Sequence, residues 1–212
     1  MKLYGFFRSS ASYRVRIALN LKGLNFEQAS IRLAKGEQYQ PAFSAVSPQN
    51  LVPVLEIDGL RLYQSPAIIE YLDEVFPEPP LLPKDPAARN RVRSLALISA
   101  CEIHPLNNTR VLNYLSETLN LTEEQKTGWY HHWITIGFGA LEKRLATEKE
   151  TGTYCHGDAP GFADICLVPQ VANAKRFKVD LTAFPTILRI NDNCLALEPF
   201  RKAMPANQPD AE

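Results

Sequence analysis

Three serines, Ser9, Ser10 and Ser12, follow a short apolar run from Leu3 to Phe7 and precede residues spaced as one face of a helix. The run reads as a strand. From about Ser12 the helical face is Val15, Ala18 and Leu19, with Lys22 contributing only its stem. A hydroxyl at such a junction stands at a helix N-terminus, where unpaired N–H groups and the positive end of the dipole hold anions. It can donate a hydrogen bond to a thiolate and favour it over the thiol. The same serines also serve as plain helix caps, and the local sequence leaves both roles open.

Two further pairs have chemical possibilities. Val52-Pro53 opens a β-rich run, and a proline there removes an N–H while forcing the preceding residue extended. If that bond is cis, the N–H and C=O of Val52 face outward and can pair with an extended peptide; otherwise Pro53 is an ordinary edge-strand proline. In Gln64-Ser65, the serine and the first N–H groups of the helix it opens make a carboxylate site, with Gln64 able to bond an α-amino or carboxylate group beside it. As a pair this signal is weak, because Ser-Pro caps are common. In this order the three sites would take a thiolate, a short peptide backbone and a terminal carboxylate.

The elements that must position them follow from patterning. After the first strand and helix, residues 25–33 read as a second strand and 35–45 as a short polar helix. Residues 51–57 and 60–63 flank Asp58-Gly59, the signature of a hairpin. Ser65-Pro66 then opens a helix to about Phe76, with Ser at the cap and Pro in the first turn. The order βαβ–α–ββ–α is a thioredoxin-like layout. Five prolines between Pro77 and Pro86 mark a linker, with Leu81 and Leu82 expected to pin it. Beyond it, helices are expected over 86–119, 122–147 and 162–176, with another from Pro185 and a frayed tail from Pro205.

Lysine plus arginine equals aspartate plus glutamate, 23 of each, so no basic field invites nucleic acid. No apolar run approaches a membrane span and no signal peptide opens the chain, which points to a cytoplasmic protein. The four cysteines are scattered without a CxxC, and the four histidines form no metal-spaced set with them. Buried free thiols, and no metal, are the expectation.

A thiolate, a short peptide and a terminal carboxylate are the parts of glutathione. The chain resembles the cytosolic glutathione transferases, and residues 9–19, Ser9-Ser10-Ala11-Ser12-Tyr13-Arg14-Val15-Arg16-Ile17-Ala18-Leu19, look like the zeta-class motif SSCxWRVRIAL. The likeness continues through Gln64-Ser65-Pro66-Ala67-Ile68-Ile69-Glu70-Tyr71-Leu72 to Ala163-Asp164-Ile165-Cys166-Leu167-Val168-Pro169-Gln170-Val171. It implies an α/β N-terminal thioredoxin-like domain, residues 1–80, a linker over 81–85 and an all-α C-terminal helical domain over 86–212, as a homodimer. Zeta proteins are maleylacetoacetate isomerases, with maleylpyruvate isomerases beside them. They turn a cis double bond trans with glutathione as a recycled cofactor and a dicarboxylic keto acid as substrate.

By this resemblance, glutathione contacts carry over to Ser9, Ser10, Ala11, Gln38, Val52, Gln64 and Ser65, and to Glu102, His104, Asn108, Thr109 and Arg110. His104 precedes Pro105, an expected bend, and a purely structural histidine is the competing reading. Ser10 or Ser9 would stabilise the thiolate, and Arg8, Arg110 and Arg176 would hold the substrate carboxylates, which guanidinium forks suit. Arg14 and Arg16 lie ~200° apart on their helix and are assigned to structure or surface. Two residues depart from the family pattern. Ala11 replaces the motif's cysteine, so no mechanism can use that thiol, and Gly161 replaces a capping Ser/Thr, though Asp164 can still reach back to its N–H. A conjugating transferase or peroxidase would need an apolar cleft, which the three arginines argue against. A non-catalytic binding module usually lacks the thiol-activating residue.

Overall fold

In the computed structural model, which describes residues 1–211, the chain forms two compact units. Met1–Leu81 and the segment from Leu195 on make the first, and Leu82–Cys194 the second.

The first unit is built on a four-stranded sheet of β1 (Lys2–Gly5), β2 (Glu27–Ser30), β3 (Val54–Ile57) and β4 (Leu60–Tyr63), in the order β2-β1-β3-β4. β1 runs parallel to β2 and antiparallel to β3, and β3 and β4 form the hairpin expected across Asp58-Gly59. Both turn residues have positive φ, 49° and 78°, the pairing that Asp-Gly supplies most readily. Helix α1 (Ser10–Leu21) starts two residues before the predicted point and buries Ser12 through Leu19 without a break. The 35–45 stretch is less regular than expected: two short 3₁₀ turns precede α2 (Pro41–Ser44). Helix α3 (Ser65–Val75) has Gln64, not Ser65, at the position before its first turn. The Val52-Pro53 peptide is cis.

Lys22 contributes more than a stem. Its ammonium is fully buried, donating to Asp73 Oδ1 at 2.7 Å and to the Pro79 carbonyl at 2.6 Å. Asp73 also accepts the Leu81 N–H at 2.7 Å, so one ion pair ties the proline-rich segment to α1 and α3. Leu81 and Leu82 are both buried.

Among the described residues, which end at Ala211, the tail from Pro205 does not fray. Helix α9 (Glu198–Ala203) packs on α1, and Gln208 is buried with its amide donating to the Lys202 and Met204 carbonyls. Fraying was expected because the last residues of a chain are poorly ordered unless tied down; side-chain hydrogen bonds tie this segment down.

In the second unit, the stretch expected to be one helix over 86–119 is broken. Helix α4 (Pro86–Leu97) widens into a π-helical turn over Ile98–Ile103, passes through a 3₁₀ turn at His104–Asn107, and ends before α5 (Thr109–Glu117). Pro105 has no N–H for the carbonyl one turn back, and Asn108 starts the new helix by accepting the Val111 N–H. The widened turn sits close to α6 (Glu123–Thr147): a Cβ on Gly137 would collide with the Ile103 side chain, which would have to move to admit it. Thr122 and Gln125 cap α6 reciprocally. Helix α7 (Phe162–Arg176) spans the predicted residues and is buried from Phe162 through Val171. Glu142 accepts the Thr186 and Ile187 N–H groups at 2.9 Å, satisfying the first turn of α8 (Pro185–Leu195). No helix among the described residues is long and apolar enough to cross a membrane.

Candidate functional site

The strand register brings the three sequence signals to one end of the sheet. Gly5 ends β1 and leads to Phe6–Ser10. Tyr4 pairs with Val54, so Val52-Pro53 enters β3 at that end, and Val54 pairs with Tyr63, so Gln64-Ser65 leaves β4 there. Gly5 also pairs with Ser30, which sends the chain towards Gln38 from the same end.

The serines divide their roles. Ser9 is the N-cap, its Oγ accepting the Ser12 N–H at 3.2 Å. Ser12 is fully buried, its Oγ accepting the Phe6 N–H at 3.4 Å and standing 3.2 Å from where a Cβ on Gly5 would lie. It is structural. Ser10 is buried and is the first residue of α1, the end at which a helix dipole favours an anion. Ala11 follows it, half-buried.

At α3, Ser65 is buried and its Oγ accepts a hydrogen bond from Arg14 Nη1 at 3.1 Å. With that lone pair taken by a cation, its O–H is polarised for donation to a carboxylate. Sequence reasoning did not find this use of Arg14, since nothing local links residues 14 and 65. Arg14 and Arg16 are both 1–2 % exposed, which resolves the structure-or-surface assignment to structure. Gln64 is exposed and holds φ at 65° with ψ at 109°, a strained conformation for a residue with a side chain, and its amide donates to Gln49 Oε1 at 2.8 Å. Gln38 is buried and its Oε1 has no hydrogen-bond partner among the described residues, an acceptor suited to a ligand N–H. A helix N-terminus, a polarised serine and an orphaned amide acceptor fit a peptide thiol with a terminal carboxylate.

The other predicted residues lie in the second unit, except Arg8, which is exposed with its guanidinium 4.8 Å from the Phe7 ring centre. Glu102 is exposed in the π turn and His104 half-buried in the 3₁₀ turn. Asn108 caps α5, and Thr109 and Arg110 are exposed in its first turn. The 3₁₀ turn seats on α6: Asn107 Nδ2 donates to the Tyr130 carbonyl at 3.2 Å, and Trp129 Nε1 to the Leu106 carbonyl at 2.8 Å. Arg176 reaches the same place. It lies over the Phe177 ring at 4.6 Å, and Phe177 stacks on Tyr130 with centroids 3.7 Å apart. Burial pushes the Tyr130 phenol up to about 12, and the Arg176 charge works against that rise. Arg176 Nη2 also donates to Asn173 Oδ1 at 3.2 Å.

Of the cysteines, Cys155, Cys166 and Cys194 are buried, whereas Cys101 is exposed, contrary to expectation. Burial drives the Cys155 and Cys194 thiols well up, and the Asp164 carboxylate beside them adds to this, so neither is a nucleophile. Asp164 bridges the Gly161 and Cys155 N–H groups, both at 2.9 Å, as the sequence suggested for Gly161.

Residues 3–80 match the family model described as glutathione S-transferase, N-terminal domain. Over 211 residues the chain is 50% identical to a maleylpyruvate isomerase from a Ralstonia species, covering 100% of both chains. Among solved structures, a holo maleylpyruvate isomerase described as a bacterial zeta-class glutathione S-transferase superposes with a TM-score of 0.98 at 50% identity, with both chains fully covered. A maleylacetoacetate isomerase from Methylobacterium extorquens AM1, with bound malonate and glutathione, gives 0.97 at 43% identity, again over the whole of both chains.

Proposed function

Because the chain belongs to the zeta-class glutathione transferase family, with its maleylpyruvate and maleylacetoacetate isomerases, we propose that its own residues divide the work of a cis–trans isomerisation as follows. The chain is a glutathione-dependent isomerase of a maleyl keto acid. Glutathione, when bound, supplies a thiolate that adds reversibly to the cis carbon–carbon double bond and so permits rotation. Ser10 at the head of α1 donates a hydrogen bond to that sulfur, and the helix N-terminus lowers the thiol pKa from the free range near ~8.5. Ser9 is the second candidate, its oxygen already engaged by the Ser12 N–H. Ser65, polarised by Arg14, takes a carboxylate of the tripeptide, with Gln64 beside it and Gln38 and Val52 accepting or pairing with its backbone.

Arg8, Arg110 and Arg176 hold the substrate's carboxylates and the negative charge that develops during addition. Malonate, a dicarboxylate, accompanies glutathione in the Methylobacterium relative. Glu102, His104, Asn108 and Thr109 complete the cofactor contacts. The convergence of Ser9-Ser10, Val52-Pro53 and Gln64-Ser65 at one end of a single sheet carries this reading.

The test assays the purified protein on maleylacetoacetate and maleylpyruvate, with and without glutathione, and repeats both with Arg176→Ala. Arg176→Ala should weaken kcat/KM for the maleyl acid by about 1.5–3 kcal/mol, the range for a hydrogen bond to a charged group. Conjugation of an uncharged chloronitrobenzene should hardly change. Stoichiometric loss of glutathione, or equal damage to both reactions, would instead indicate a conjugating transferase. A homodimer is the proposed assembly. Leu60 and Tyr63 are exposed on edge strand β4, and Leu97 and Tyr114 are exposed in the helical unit, apolar surface that a second copy would cover.

A further inference from the structure

Four residues, Phe6 to Ser9, join β1 to α1, and their own backbone supplies one hydrogen bond, Ser9 N–H to the Phe6 carbonyl at 3.0 Å. The groups at Phe7 are met from elsewhere in the chain. Its N–H donates to Asp210 Oδ2 at 3.2 Å, and its carbonyl accepts from Arg16 Nη2 at 2.9 Å. Arg16 Nη1 also reaches the Phe6 carbonyl at 3.4 Å, while its Nε donates to the Ala203 carbonyl at 3.1 Å. Asp210 is not a loose end. Its Oδ2 also accepts from Ser30 Oγ at 2.7 Å, and two residues earlier Gln208 is locked by Gln28 Nε2 at 3.0 Å and by its own bonds to Lys202 and Met204.

We propose that Asp210 and Arg16 are positioning residues for the thiolate site: a carboxylate from the tail and a buried guanidinium from α1 hold the Phe7 peptide groups from both sides, fixing the turn that presents Ser10. This rests on the reading of Ser10 as the thiolate's partner. A turn between a strand and a helix has its ends fixed, but its middle is free to rotate unless its N–H and C=O groups are bound. A hydroxyl must sit within hydrogen-bond reach of the sulfur to favour the thiolate, and a misplacement on the order of 1 Å costs up to ~100-fold in rate. Both groups that bind the turn's middle lie outside it, and one belongs to a segment 203 positions away.

Two effects of Asp210 are separable. As an acceptor it places Phe7; as a charge it sits beside Arg16 and offsets that cation. Asp210→Asn keeps an acceptor oxygen and removes the charge, whereas Asp210→Ala removes both. Loss of charge alone would leave Arg16 less compensated and favour the thiolate, whereas loss of position would disfavour it.

The experiment measures kcat, the KM for the maleyl acid, the thermal midpoint, and the pH titration of thiolate absorbance with glutathione bound, for wild type, Asp210→Ala, Asp210→Asn and Ser10→Ala. Asp210→Ala should lower kcat by roughly tenfold with a much smaller change in the substrate KM, and raise the thiol pKa by about half a unit or more. Asp210→Asn should recover most of kcat and bring the thiol pKa back to the wild-type value or below it. Unchanged kcat and thiol pKa in Asp210→Ala, with only the midpoint lowered, would make the tail a structural prop and overturn the proposal; so would equal losses in the Ala and Asn variants. Ser10→Ala separates the two levels. If it shifts the thiol pKa and Asp210→Ala does not, the positioning proposal alone fails; if Ser10→Ala leaves it unchanged, the reading of Ser10 fails and takes the proposal with it.

Discussion

Replacing Asp164 by alanine tests what holds the helical unit together. The side chain is 1 % exposed and accepts the Gly161 and Cys155 N–H groups, each at 2.9 Å. Hydrogen bonds to a charged group contribute ~1.5–3 kcal/mol apiece, so the two together set a ceiling near ~6 kcal/mol. Burial holds the Asp164 carboxyl above its usual range, which means that desolvation of the ion offsets part of this gain. The net cost should therefore lie near the lower end, about 3 kcal/mol. It should not fall much below ~2 kcal/mol, because truncation leaves two N–H groups without their acceptor, one of them at the buried Cys155. For a chain of 212 residues, ~3 kcal/mol corresponds to a midpoint about 6–12 °C lower.

Equilibrium urea unfolding followed by circular dichroism gives the free energy, and a thermal scan the midpoint. Asp164→Asn is the informative companion. It keeps one acceptor oxygen but turns an NH₂ towards the second N–H, so it should show at least half the loss. A cost under about 1 kcal/mol in the alanine variant would refute the reasoning and assign the start of α7 to its buried apolar residues alone.

Ser9 and Ser10 should separate cleanly. Ser10→Ala should raise the pKa of bound glutathione and cut turnover while its binding largely persists, as read from thiolate absorbance; an unchanged titration would move the role to Ser9. Ser9→Ala should cost about 1 kcal/mol in denaturant unfolding, because it removes the cap on Ser12 N–H. Lys22→Met should cost ~3–5 kcal/mol, since it leaves the Asp73 carboxylate buried without its cation. The double variant Lys22→Met/Asp73→Asn should recover part of that in the same urea melts, and no recovery would mean that packing around the lysine stem dominates.

What the sequence made legible was local. The span of α7 was readable because Asp164, three residues after Gly161, marks its start, and the basic Lys175-Arg176 pair its end. The β3–β4 hairpin was readable because Asp58-Gly59 takes positive φ easily. The break near residue 98 was missed because the apolar pattern runs on through Leu97, Ile98 and Ile103, and periodicity cannot tell an α from a π turn. The cap at Asn108 was visible in principle, as an Asn-Thr pair just after a proline. Long-range polar ties left no local trace. Lys22 read as a stem on the apolar face and Arg14 and Arg16 as structure or surface, with nothing to name their partners, which include groups tens to hundreds of positions away. The tail failed for the same reason: Gln208 and Asp210 are held by side-chain hydrogen bonds to scattered partners, not by a repeating face.

The return of the chain to its starting unit after Leu195 bears on how the protein is made. A ribosome delivers residues in order, so the sheet, α1 and α3 emerge early, and the whole helical unit follows before α9 and Asp210 exist. Until then Arg16 has no Ala203 carbonyl and Phe7 no carboxylate. The nascent first unit must wait, with Arg16 Nε and the Phe7 N–H still short of their tail partners, while more than a hundred further residues are added. Synthesis cannot finish it domain by domain. Premature termination anywhere in the helical unit would therefore be registered at the opposite end of the sequence.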